Sequence, residues 1–447
     1  MRLLIVPAAA ALVLLLLLSP ACQAADLTEP EVISSVDGLL ETTISLERAT
    51  HSQDGFTMTS RLLNGKFPGP TLRIKAGDVL KIRYENNLVD QGLTYRHNRL
   101  SAPDETNAHF HGLHISGEIP SDDVAVIHLK PGEAFDYEIG LPSDHMGGTH
   151  WMHPHRHGST TIQVGGGAVM AVIVDNPDDN LPDAVANARE IIMVVHQMDT
   201  DDLDDAVSAS GDRLLSYSGN PARRFLLTNG QINPTIRVDV NEWVRLRVVF
   251  SGWVSRSLDM NIPGCDMQLL AKDGIYIRDF PRSITTAPVP PGGRVDVMVR
   301  CSLPSRSFPI RGWRGNTVAT ITTSSIVNPR TTLPSWTPTF PSYIADLRGS
   351  TATPGCRCST NVGNNDGMNS RAFTEGEAIH SSPLGAIVER VVDADDHPYH
   401  QHVYPYQLIS VSETAYDKVG DWHDTIHGTA VVRHQVTRFA GKVMLHW

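Results

Sequence analysis

Cysteine is scarce: five occur in 447 residues, so no dense disulfide framework of the small secreted kind can hold this chain together. Cys-x-x-Cys pairs are missing, and Cys356-x-Cys358 has no second pair nearby, which removes structural zinc modules. There is no basic excess either. Lys and Arg number 37 against 49 Asp and Glu, a formal charge of -12, which argues against nucleic acid and anionic membrane surfaces as partners. Beyond residue 18 no apolar run is long enough to span a bilayer. Segments of 3.6-residue period are rare, which argues against helical bundles and βα barrels. No Asn-x-Ser/Thr acceptor is present.

What the chain does have begins with a leader. Arg2, an apolar run over residues 3–18 and the small residues around Ala24 and Ala25 have the layout of a signal peptide over residues 1–25. A membrane anchor is the alternative, but the run is near the lower limit for a span and polar chain follows at once. A secreted protein, with no membrane attachment after cleavage, is expected. Of the four cysteines that remain, Cys265 and Cys301 are the preferred pair because both fall within one repeat unit; two buried thiols are the alternative.

Short Val/Ile-rich runs bounded by Gly, Pro and Asn recur at 80–84, 168–174, 191–195, 244–250 and 295–299. They read as strands of an all-β sandwich architecture. Asn64-Gly65-Lys66-Phe67-Pro68-Gly69-Pro70-Thr71-Leu72-Arg73-Ile74 returns, with one gap, as Asn229-Gly230-Gln231-Ile232-Asn233-Pro234-Thr235-Ile236-Arg237-Val238. Pro131-Gly132 with Asp136 is echoed by Pro291-Gly292 with Asp296, so the similarity spans a whole β-domain. At about 150 residues per domain, three are expected: residues 26–178, 179–330, and 331–447, the last opening on a Pro/Ser/Thr-rich linker.

The histidines are clustered. Of 20, three lie at 109–114, five at 145–157 and three at 397–402. Each window holds a His-x-His: His109/His111, His153/His155 and His400/His402. On a strand, residues i and i+2 face the same side, so each pair sends two imidazoles to one face. Neutral imidazole suits copper or zinc, and no matching carboxylate set favours a hard cation. The second repeat lacks these histidines, with Asp259-Met260-Asn261-Ile262-Pro263 in their place.

In order and spacing, Asn107-Ala108-His109-Phe110-His111-Gly112, His150-Trp151-Met152-His153-Pro154-His155 and His397-Pro398-Tyr399-His400-Gln401-His402 resemble the first three copper signatures of the multicopper oxidases. The resemblance covers nearly the whole chain after the leader. It implies three cupredoxin-like, or plastocyanin-like, Greek-key sandwiches with a trinuclear copper cluster between the first and the last. By the same resemblance, His109 and His400 match type 2 copper ligands, His111, His153, His155, His402 and His446 match type 3 ligands, and His397 matches one ligand of the mononuclear type 1 copper. The implied activity is one-electron oxidation of a small reducing substrate (phenol, amine or metal ion) coupled to reduction of dioxygen to water. Asp122 and Asp123 resemble the position of an acidic residue near the cluster and are candidates for proton relay; a solvated turn is the alternative.

The chain departs from the family pattern at its end, where Trp447 stands in the place of the type 1 Cys. The third domain is therefore expected to be incomplete and the type 1 site absent, with turnover impaired. A Cys codon split by an intron would read as this ending. A TGG codon followed by stop in the mature transcript would refute that origin. Two other readings stay open: a non-catalytic copper-binding protein and a copper nitrite reductase-like enzyme.

Overall fold

In the computed structural model, residues 25–219, 223–254, 256–363, 367–374, 376–437, 439 and 445–446 are described. The expected leader lies almost wholly outside them, as does Trp447. Strands dominate, as the period-two patterning requires. Val79–Asn86 shows how: Leu80, Ile82, Tyr84 and Asn86 are buried while Lys81 and Arg83 face solvent, the alternation of a sheet with one wet face.

Two five-stranded sheets form the N-terminal sandwich. One runs in the order Val32–Ser34, Thr71–Lys75, Met170–Asp175, Gly148–His153, His109–His111. The other runs Ser216–Ser218, Phe56–Leu63, Leu39–Gln53, Val79–Asn86, Ala134–Gly140. Leu46, Leu72, Ile82, Phe110 and Met170 are among the residues packed between them. Ser216–Ser218 pairs with Phe56–Leu63, so the chain returns to this sandwich well after residue 178.

A middle unit packs a sheet of Arg224–Thr228, Arg189–Asp199, Val244–Ser251, Arg294–Cys301 and Cys265–Lys272 against the smaller sheet of Thr235–Val240, Thr317–Val327 and Ser307–Arg311. Both faces of Val244–Ser251 are buried. Its charged side chains are therefore paired, as burial demands: Arg245 with Asp296 and Arg247 with Glu190. Cys265 and Cys301 face each other across neighbouring strands and are bridged, as expected from the repeat. Cys356 and Cys358 are free thiols. The bridge closes a loop with a sequence separation of 36, so Cys265→Ser with Cys301→Ser is expected to cost about 2–4 kcal/mol. Urea midpoints of the two proteins measure it, and equal midpoints would refute it.

The C-terminal sheet is built on two long strands, Ile387–Gln401 and Thr425–Gln435, flanked by Arg357–Gly363 and Tyr406–Ser410. Val392, Tyr399, Tyr406, Leu408 and Val432 form its buried face. Leu445–His446 pairs with Ile387–Gln401, placing His446 opposite His400 in backbone register. Among the described residues no helix is long and apolar enough to cross a membrane.

Candidate metal centre

Six imidazoles meet where the N-terminal sandwich touches the C-terminal sheet. His109–His111 is a three-residue edge strand paired with Gly148–His153, in register His109 to His153 and His111 to Trp151. His400 ends the strand Ile387–Gln401, and His402 follows it. All six rings, of His109, His111, His153, His155, His400 and His402, are buried. His109 stacks on His402 with centroids 3.8 Å apart, and His111 on His400 at 3.6 Å. Nitrogens approach closely: His109 Nε2 to His400 Nε2 is 3.5 Å, and His111 Nδ1 to His153 Nε2 is 3.3 Å. His109, His111 and His400 each offer a nitrogen within 4.8 Å of the other two, as do His109 and His402 with Asp122.

Burial favours the neutral form of four of these rings. It drives His109, His111 and His153 far below the usual histidine range, aided by neighbouring imidazoles, and takes His155 to about 3. Their surroundings then assign the protons. His109 Nδ1 donates to Asp122 Oδ2 at 2.8 Å, His153 Nδ1 to Pro154 O at 2.9 Å, and His400 Nδ1 to Asp424 O at 2.9 Å. In each ring the lone pair is left on Nε2, towards the other histidines. His111 is turned the other way: its Nε2 lies 3.1 Å from Thr425 Oγ1 and 3.5 Å from Asp424 Oδ1, so Nδ1 faces the group. Neutral imidazoles whose outer nitrogens are tied to carboxylates and carbonyls are the arrangement a soft or borderline divalent ion requires. The donor set fits copper.

Asp122 and Asp123 are both buried, 4% and 6% exposed, so neither belongs to a solvated turn. Asp122 Oδ1 also accepts from Phe110 N. Burial, only partly offset by that hydrogen bond, raises Asp122 well above the ordinary carboxylate range. Asp123 turns its loop through backbone bonds from Val126 and Ile127. Asn107 fastens the same loop: its amide donates to Val124 O and Ile127 O, and its oxygen accepts from His155 N.

His397 starts the third histidine window, three residues before His400. It is half-buried, its Nδ1 donates to Pro398 O at 2.8 Å, and among the described residues it joins no group of three potential ligands. His446 is brought to the centre by backbone register alone. Of the flanking histidines, His145 Nε2 accepts from His114 N, His114 Nδ1 donates to Val403 O, and His157 Nε2 meets Asn98 Oδ1; these bonds hold loops. Tyr399 and Tyr406 pack beneath the site.

Three residues escaped the sequence reading. Asp424, Thr425 and Arg294 form a buried knot against His111 and His400. Arg294 and the histidine hydrogen bonds keep the Asp424 carboxyl ionised far below its usual range despite burial. No spacing rule links residues 130 apart in sequence. The one local hint was Gly112, whose φ of +91° and position leave no room for a side chain: a Cβ there would stand 2.1 Å from Arg294 Nη2.

An all-β molecule that gathers imidazoles from distant parts of its chain into one buried pocket is a metalloprotein of the β-sandwich class. Comparison with known proteins narrows the class. Two family profiles, both described as multicopper oxidase, match residues 45–179 and 196–330. Laccase-1 of Thanatephorus cucumeris is 27% identical over 261 residues, 56% of this chain and 42% of its own length. Multicopper oxidase mco of Staphylococcus epidermidis is 26% identical over 54% of this chain and 48% of its own. The chain's matched region thus spans about half the length of these curated relatives. Among solved structures, a laccase from Pediococcus acidilactici superposes with a TM-score of 0.74 at 18% identity, covering 95% of this chain and 90% of its own. The laccase-like multi-copper oxidase CueO from Ochrobactrum sp. gives 0.72 at 19% identity, covering 94% and 96%. At that identity the likeness concerns the fold alone. The chain belongs to the multicopper oxidase family.

Proposed function

We propose that this chain is a copper-dependent oxidase that couples one-electron oxidation of a small reducing substrate to reduction of dioxygen to water. The observation that carries it is the buried six-histidine pocket, in which outer hydrogen bonds orient His109, His153 and His400. His109 and His400 would hold type 2 copper; His111, His153, His155 and His402, with His446, the type 3 pair. His397 would serve the mononuclear site. Copper, when bound, supplies the one-electron exchange that lets a single-electron donor be linked to a four-electron acceptor. The protein's own part is to present unprotonated nitrogens, to exclude water through Trp151 stacked on His153, and to place the Asp122 carboxylate against His109 Nδ1, in reach of a proton relay. Residues 26–178, 179–330 and 331–447 are proposed as the three domains, with the active centre bridging the first and the third. Export to an oxidising compartment is supported by the Cys265–Cys301 bridge.

The test is metal analysis of the full chain after copper loading, followed by mixing chemically reduced protein with oxygenated buffer. Several coppers per chain and rapid oxygen consumption are expected. Copper held without oxygen consumption would support a binding protein instead, and a preference for zinc would sink the reading. In the same assay Asp122→Asn, with Asp123→Asn as its control, is expected to slow oxygen consumption by about 10²-fold, the ordinary contribution of a positioned acid or base. An unchanged rate in Asp122→Asn would remove Asp122 from proton handling.

A further inference from the structure

The middle sandwich supplies none of the six imidazoles, yet one of its side chains reaches both halves of the pocket. Arg294 is fully buried, 0% exposed. Its Nη1 donates to Asp424 Oδ1 at 2.8 Å, and its Nη2 pairs with Asp424 Oδ2. Nε donates to Thr149 O at 3.4 Å, on the strand that ends at His153. Nη2 also donates to Asp273 O at 3.1 Å, and the backbone N to Asp273 Oδ1 at 2.9 Å.

What Asp424 then does is specific. Its Oδ1 lies 3.5 Å from both His111 Nε2 and His400 Nδ1. It accepts from Thr425 Oγ1 at 2.8 Å, and that hydroxyl is itself 3.1 Å from each of the same nitrogens. His111 belongs to the N-terminal sandwich and His400 to the C-terminal sheet. One guanidinium thus fixes one carboxylate, and that carboxylate, directly and through the Thr425 hydroxyl it holds, stands against the outer edges of two stacked rings from opposite ends of the protein, beside the backbone carbonyl that takes the His400 proton. The slot is shaped for it. A Cβ at Gly112 would collide with Nη2, and one at Gly292 would come within 3.2 Å of the His111 ring.

Resting on the copper reading above, we propose that Arg294 is a positioning residue of the cluster, which sets the orientation of the His111 and His400 rings through Asp424. Lysine cannot replace it, because the ammonium is a point charge and only the planar fork meets both carboxylate oxygens at once. Outer partners of metal-bound histidines typically carry a 10- to 100-fold effect on metal affinity.

The experiment compares the full chain with Arg294→Lys and with the charge-neutral pair Arg294→Met/Asp424→Asn, using two readouts. In metal-free protein, histidine ring ¹⁵N resonances of His111 and His400 are expected to shift in both variants while those of His153 and His155 stay. In copper-loaded protein, chelator competition is expected to show affinity lowered 10- to 100-fold with an altered type 2 EPR signal. Unmoved ring resonances in a folded variant overturn the inference, whether or not copper binds. Moved resonances in a wild-type chain that takes up no copper would retain the positioning role and sink the copper reading alone. If neither variant folds, the inference is also overturned, since Arg294 would then be a general support of the fold.

Discussion

Copper added to the metal-free protein is expected to raise its melting temperature by roughly 5 °C, and His109→Ala or His400→Ala is expected to abolish most of that rise. A ligand that binds only the folded state at about a thousand times its dissociation constant adds about 4 kcal/mol by mass action. Over a chain of this length the unfolding entropy converts that into roughly 5 °C. The force of the prediction lies in the pairing of the two variants. His109 lies in the N-terminal sandwich and His400 in the C-terminal sheet, 291 residues apart, with their Nε2 atoms 3.5 Å from each other. If the metal is shared, each single change removes the same stabilisation. Calorimetric scans of metal-free and copper-loaded proteins decide it. Independent sites would instead leave each variant with part of the wild-type rise, and a variant with the full rise would refute the shared centre.

Much of this centre was legible because strand periodicity converts spacing into direction. His109 and His111 share a face for the same reason that Leu80 and Ile82 do, and the internal repeat showed that the histidines were an addition to a common sandwich. The cross-strand bridge of Cys265 and Cys301 was readable from that repeat. What stayed hidden was non-local. Asp424 and Arg294 look like ordinary strand charges until the sheets meet, because nothing in a linear pattern marks which charges will be buried against each other. The helix Thr200–Ser210 was also missed, although Asp199 caps its start and Gly211, at φ +77°, its end. Only Thr200, Leu203, Ala206 and Ser210 are buried on it, too thin an apolar stripe to register against the surrounding acidic residues. For Asp122 the sequence left two readings open, because Pro120-Ser121-Asp122-Asp123 has turn chemistry; the turn is folded inward, with Asp122 against His109, where the resemblance had put an acidic residue.

Asp421→Ala is expected to destabilise the protein by about 3–5 kcal/mol at neutral pH, the usual cost of breaking a buried ion pair from one side. Asp421 is 5% exposed and accepts from Lys272 Nζ at 2.9 Å and from Arg282 at 2.6 and 2.8 Å. Both cations come from the middle sandwich, and the carboxylate from the C-terminal sheet. Alanine would leave two interface cations under-compensated: among the described residues Lys272 keeps Asp417 and Tyr416 O, and Arg282 keeps Asp279 and Tyr416 O. Burial alone would raise the Asp421 pKa, but Lys272 and Arg282 outweigh it and hold the carboxyl well below its ordinary value. A depressed folded-state pKa gives stability that is fully present above the unfolded value of about 3.9 and is lost as pH falls through the folded value. The gap between wild type and Asp421→Ala should therefore be widest at neutral pH and narrow in acid. Urea midpoints at pH 7 and at steps down through pH 3 should show the gap narrowing without closing, because pH 3 still lies above the folded value, and a cost under about 1 kcal/mol at pH 7 would mean the group behaves as a surface pair. The same contact bears on the metal centre. Asp421 lies three residues before Asp424 on the segment that carries both, so loosening it frees the C-terminal sheet from the middle sandwich and should lower copper retention together with stability. Asp421→Ala protein that melts early yet holds copper as tightly as the wild type would show that the two interfaces act independently.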